Sequence, residues 1–177
     1  VYAKCAHILL PKDYVRYMLT GEFATEVSDA SGMQLLDVPH RCWSKEILQK
    51  LDIDEGLLPK VFESPEVTGH ISTEFAQRTG LSVNCVVAGG AGDNAAAAVG
   101  TGIVEEGKAF TTIGTSGVVF AHTNTPIIDP QGRVHTFCCA VPGCWHVMGV
   151  TQAAGLSLKW FRENLAENTD YEAINQA

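Results

Sequence analysis

Between Val83 and Val99 the chain changes character three times, and that succession limits what it can fold into. Val83 to Ala88 is a compact, β-branched run of the kind that forms a buried strand. Gly89-Gly90-Ala91-Gly92 follows, where missing side chains let the backbone turn tightly and let its N–H groups approach a ligand. Asp93 to Val99 is alanine-rich, the composition of a helix. The natural reading is strand, tight glycine loop and helix in succession, with the carboxylate of Asp93 held where the helix begins.

Asp93 has two readings at this point. Aspartate at a helix start commonly caps it by accepting hydrogen bonds from the first turn. The same carboxylate beside a glycine loop can instead do chemistry. The stretch also fits G-x-G-x-x-A, read as Gly90, Gly92 and Ala95, which is the dinucleotide-binding fingerprint. That fingerprint requires an acidic residue about 20 positions later, at the end of the next strand. Here the next β-prone run, Ala109 to Ile113, ends in Gly114-Thr115-Ser116-Gly117, which speaks against a nicotinamide site. This second glycine segment is either a hairpin turn or a small cradle whose N–H and hydroxyl groups hold phosphate oxygens. Two such loops on consecutive strands can converge on one cleft.

Elsewhere the signals are local. Pro11 to Thr20 reads as a helix stopped by Gly21, and Asp29 to Gly32 as a turn before the apolar patch Met33 to Val38. Ser44 offers an N-cap for Lys45 to Leu51, and the stretch from there to Pro65 reads as mostly loop. Ser72-Thr73 opens a short helix ending at Gly80. Val118 to Ala121 completes the hairpin around Gly114 to Gly117. Strands are expected around Val134 to Ala140 and Trp145 to Val150, then a half-buried helix from Ala153 to Asn164. The stretch reaching Gln176 and Ala177 also reads as helix.

Composition narrows the function classes. With 46% hydrophobic and 18% charged residues the chain can bury a core. A net charge of −8 and no Lys/Arg cluster argue against a nucleic-acid surface, while phosphates can still be held by backbone dipoles and a few placed groups. No run is long enough for a membrane span and VYAKCAHILL is too short for a signal peptide, so a cytoplasmic location is expected. The six cysteines are then expected to be reduced. Zinc is a rival reading for His135-Thr-Phe-Cys138-Cys139-Ala-Val-Pro-Gly-Cys144-Trp-His146, but the spacing lacks a C-x₂-C knuckle. Pro142-Gly143 between two β-prone runs predicts instead a hairpin whose cysteines pack as small hydrophobes.

Six stretches in order carry a family resemblance: LLPKDYVRYMLTGE, SDASGMQLLDV with WS after it, VVAGGAGDNAAAAVG, TTIGTSGVVF, VHTFCCAVPGCWHVMGVT and AAGLSLKWFRE. Together they resemble the FGGY family of carbohydrate kinases. The resemblance implies an α/β fold of the actin-like, hexokinase-like kind. It assigns 1–88 to the end of a sugar-binding domain and 89–177 to the beginning of a nucleotide-binding domain. Asp93 would be the catalytic base and, with Asn94, a contact to the sugar hydroxyls. Gly114 and Thr115 would fall in the second phosphate loop, and Gly155 with Lys159 where the family holds the nucleotide. The neighbourhood of Lys159 reads equally as a helix surface with a solvated charge.

The Asp-Asn pairing is similar to that of the xylulokinases in this family, whereas glycerol kinases resemble Asp-Gln there. The resemblance therefore implies phosphorylation of D-xylulose to D-xylulose 5-phosphate, with ATP and Mg²⁺. The alternatives are another polyol kinase of the family, acting on ribulose, glycerol or gluconate, or a non-catalytic fragment. The family's D-x-G-T phosphate loop and its late adenosine motif have no match, and the first residue is Val1. An internal fragment that is inactive by itself is the expectation, with self-association into a homo-oligomer through exposed apolar surface.

Overall fold

The computed structural model describes residues 2–176; Val1 and Ala177, the latter carried into the last helix by the sequence reading, lie outside the described residues. Helix α1 (Pro11–Thr20) starts on a proline, takes the Leu10 N–H on Asp13 at 3.2 Å, and stops at Gly21, whose φ of 80° needs a residue without Cβ. It leads into strand β1 (Ala24–Glu26), the one-turn helix α2 (Val27–Ala30) and a 3-10 turn at Ser31–Met33. The expected turn at Asp29 to Gly32 is therefore helical. Its cause is the Glu26 carboxylate, which accepts the N–H groups of Ser28 and Asp29.

Strands β2 (Leu36–Asp37) and β3 (Cys42–Trp43) pair antiparallel, and α3 (Lys45–Leu51) is capped by Ser44 Oγ, which accepts the Ile47 N–H. The segment to Pro65 contains strand β4 (Lys60–Phe62), parallel to β1, where loop was expected. Three residues carry too little alternation to announce a strand. Strand β5 (Val67–His70) precedes α4 (Thr73–Thr79), which Ser72 caps and Gly80 ends as expected. Strand β6 (Val86–Ala88) pairs antiparallel with β5. It is shorter than the run Val83 to Ala88 and not buried: Val86 is 53% exposed, in a ribbon of only two strands.

Helix α5 (Asp93–Gly100) follows the glycine loop. Strands β7 (Ala109–Ile113), β8 (Gly117–Thr123), β9 (His135–Cys138) and β10 (Trp145–Thr151) form one antiparallel sheet in the order β7-β8-β10-β9. Both expected hairpins are present. Since β6 and β7 lie in different sheets, α5 is not the crossover of a parallel βαβ unit, and the dinucleotide fingerprint has no structural counterpart. Helices α6 (Gly155–Asn164) and α7 (Tyr171–Gln176) end the described chain. Helix α6 is not half-buried as expected: none of its residues is buried, and no described element covers its apolar side.

Two apolar clusters hold the parts together. One joins Val27, Ala30, Leu36, Trp43, Leu48 and Leu58 to Cys138 of β9; the other packs Ala98 of α5 on Phe120 and Cys139. Both cysteines are fully buried small hydrophobes, as expected from the apolar flanks. Polar bonds reinforce the seam: the Cys138 N–H donates to Ser31 Oγ at 3.0 Å, and Trp145 Nε1 to the Val38 carbonyl at 2.9 Å.

Candidate functional site

The glycine loop is fixed from below by charged side chains. Glu26 is completely buried, and its carboxylate takes five donors: Lys12 Nζ at 2.6 Å, the N–H and hydroxyl of Ser28, the Asp29 N–H and the Ser64 hydroxyl. Five donors offset the cost of burying the charge. The relay reaches the loop at both ends, because Ser28 Oγ accepts the Gly92 N–H at 3.0 Å and Lys12 Nζ donates to the Gly89 carbonyl at 3.4 Å, an oxygen that Arg16 also bonds. Arg16 is itself buried and paired with Asp13 at 2.7 Å. A Cβ at Gly89 would lie 2.6 Å from the Glu63 carbonyl oxygen, so only glycine fits.

Held in this way, α5 presents its first turn to a small cleft of about 90 Å³, lined by Ser28 and Asp29 of α2, Asp93 and Asn94 of α5, and His146 and Met148 of β10. Asp93 is the first helical residue and not the N-cap, a place taken by Gly92. Its Oδ1 accepts the N–H of Asn94 at 2.8 Å, and the carboxylate is exposed. The capping reading of Asp93 is thereby corrected: it reaches only the adjacent N–H, and the glycine supplies the extended backbone that a cap needs. The Asn94 amide makes no hydrogen bond among the described residues. Asp29 lies 3.6 Å from Lys12 Nζ, and burial raises its carboxyl above the usual range, with Lys12 pulling the other way.

A second grouping lies further along the same sheet. The tip Gly114 to Ser116 joins β7 to β8 and receives the first residues of α6: the Ala154 N–H donates to the Thr115 carbonyl at 2.8 Å and the Gly155 N–H to the Gly114 carbonyl at 2.9 Å. A Cβ at Gly155 would come within 2.5 Å of that Gly114 oxygen. The N–H groups of Thr115 and Ser116, and both hydroxyls, have no partner among the described residues, so four donors are free at an exposed tip. Thr151 pairs with Gly117 at the base of the tip, three residues along β10 from Met148. At roughly 3.4 Å per strand residue, tip and cleft floor are about 10 Å apart.

Of the residues marked by the sequence, Asp93 and Asn94 come together in the cleft, and Gly114, Thr115 and Gly155 come together at the tip. Lys159 joins neither group; it is exposed on α6, with Glu163 at 3.8 Å. Asp29, Glu26 and Lys12 escaped the sequence reading, although Ser28-Asp29-Ala-Ser-Gly32 is polar where the flanks are apolar. His146 was weighed only as a zinc ligand. No group of three His, Cys, Asp or Glu gathers to hold a metal among the described residues. Burial pushes the Cys139 thiol up to about 12 and the His146 imidazole down to about 4, so both are neutral at pH 7.

Residues 1–100 match the model of the FGGY family of carbohydrate kinases, N-terminal domain. Over 160 residues, 90% of this chain, the sequence is 44% identical to the xylulose kinase of Escherichia coli strain K12, of which it covers 33%. It is 41% identical over 174 residues, 98% of this chain, to the xylulose kinase of Lactococcus lactis, covering 34% of that protein. The chain thus spans about a third of the length of the curated relatives it matches. Among solved structures, a xyloylose kinase from Brucella ovis superposes with a TM-score of 0.89 at 43% identity, covering 93% of this chain and 34% of that one. The fold expected from the sequence, part of an actin-like α/β kinase, is borne out.

Proposed function

Because the chain belongs to the FGGY family of carbohydrate kinases, we propose that it forms the sugar site and part of the nucleotide site of an ATP-dependent kinase whose substrate is D-xylulose. The observation that carries this reading is the pairing of two places on one sheet. A cleft with an exposed carboxylate and a free amide lies about 10 Å from a tip with four free donors. Xylulose is the substrate named for the relatives from Escherichia coli and Lactococcus lactis.

In this reading Asp93 accepts the proton of the sugar hydroxyl as that oxygen attacks the γ-phosphate of ATP, and Asn94 orients the sugar. Thr115 and the tip around Gly114 receive phosphate oxygens. Gly155 lets α6 approach the tip, and Lys159, one helical turn further, reaches towards the nucleotide. Mg²⁺ would arrive with the nucleotide and would neutralise phosphate charge. The chain divides in this reading into a sugar-binding part, 1–88, and a nucleotide-binding part, 89–177; β6 ends at Ala88, just before the loop that carries Asp93, while the match to the family's N-terminal domain runs on to residue 100.

The test is ATP-dependent ADP release by a protein of the relatives' full length containing this chain, offered D-xylulose, D-ribulose, glycerol or gluconate. Release with D-xylulose is expected, and none from the 177 residues alone. Preference for another polyol would move the substrate; inactivity on all four would overturn the reading.

A further inference from the structure

We propose that His146 is a specificity-determining contact of the same cleft, its Nε2 hydrogen-bonding a hydroxyl of the bound sugar. This rests on reading the cleft as the sugar site. The side chain is 98% buried by the complement of its 2% exposure, yet it lines the cleft beside Asp93, Asn94 and Met148. Its ring is wedged, with Phe120 stacked at 4.1 Å between centroids and Phe137 edge-on at 5.7 Å. Nδ1 is turned to Cys139 Sγ at 3.8 Å, and Cys139 does not line the cleft. The opposite edge of the ring, which carries Nε2, is therefore the edge on the cleft side.

That Nε2 is buried and has no hydrogen-bond partner among the described residues. An unpaired polar atom inside a protein costs free energy that a ligand atom can recover. The Nε2 of His122, paired across from His146 on β8, is equally unpartnered but takes no part in the cleft. Burial and the neighbouring His122 keep His146 uncharged. A neutral imidazole nitrogen donates or accepts according to tautomer, and a hydroxyl can answer either way. The ligand class is thus a polyol whose hydroxyl meets the floor of the cleft while another meets Asp93.

The test is steady-state kinetics of His146→Phe and His146→Gln in the full-length protein, with thermal midpoints of each. For His146→Phe the KM for sugar should rise about tenfold, the loss of one hydrogen bond, with a smaller change in kcat and in the KM for ATP. The midpoint should not fall, because an apolar ring of similar shape removes the orphaned nitrogen. His146→Gln should recover much of the sugar KM. An unchanged sugar KM in His146→Phe would overturn the inference, as would a fall in midpoint with no recovery in His146→Gln. Should His146→Phe not fold, the ¹⁵N resonance of His146 Nε2 in the unsubstituted protein decides: it shifts on adding sugar without ATP, or the inference fails. A parent protein that phosphorylates no polyol defeats the functional reading itself, which is a different outcome from an active enzyme indifferent to His146.

Discussion

The two glycine segments of the chain are built alike and held differently. Besides main-chain bonds from Gly89 to Glu66 and from Gly90 to Ser64, Gly89 to Gly92 is tied to α1 and α2 by side chains, through Arg16 and through Ser28 with the carboxylate of Glu26 behind it. Among the described residues the tip Gly114 to Ser116 is tied to α6 by main-chain bonds alone, from Ala154, Gly155 and Leu156. The first loop ends on Asp93, the residue that the proposed function requires to be aimed, and buried charge is a stiff way to aim it. The second keeps the N–H groups and hydroxyls of Thr115 and Ser116 free among the described residues, which the proposed phosphate-binding role requires.

The largest effect should come from Glu26→Ala. It leaves Lys12, Ser28 and Ser64 without their common acceptor, at a cost of roughly 3 kcal/mol in unfolding by urea. A loss under about 1 kcal/mol would show that the loop holds itself and would erase the contrast. Gly155→Ala should cost about 1 to 3 kcal/mol, because its Cβ meets the Gly114 oxygen. It should raise the KM for ATP and spare that for sugar; a rise in the sugar KM instead would mean that the two loops do not act separately. Lys159→Ala is the smallest change, within about 0.5 kcal/mol in stability. A modest rise in the KM for ATP would sharpen its role, whereas no change would leave Lys159 a solvated charge.

Much of this architecture was legible in the chain. Pro11 and Gly21 bound α1, Ser72 and Gly80 bound α4, and Ser44 starts α3, because caps act locally and need no tertiary partner. The hairpins at Thr115 and Pro142-Gly143 were equally plain. Helix α1 was not legible in its orientation: Tyr14, Val15 and Met18 are exposed while Asp13 and Arg16 are buried as a pair. An apolar stripe points inward only if nothing else satisfies the interior. Strands β1 and β4 are too short for a pattern, and the bond from Gly92 to Ser28 spans 64 residues, beyond any local signal. Asp93 and Asn94 announced themselves through the glycines, whereas Asp29 and His146 join the cleft only when α2, α5 and β10 meet.

The measurement that bears most directly on this account is the turnover of Asp93→Asn in the full-length protein, with binding of D-xylulose measured separately by calorimetry. Loss of a general base predicts a fall in kcat of roughly a hundredfold or more with sugar affinity changed little. Near-normal turnover would contradict the account and return Asp93 to the role of an ordinary helix-terminal carboxylate.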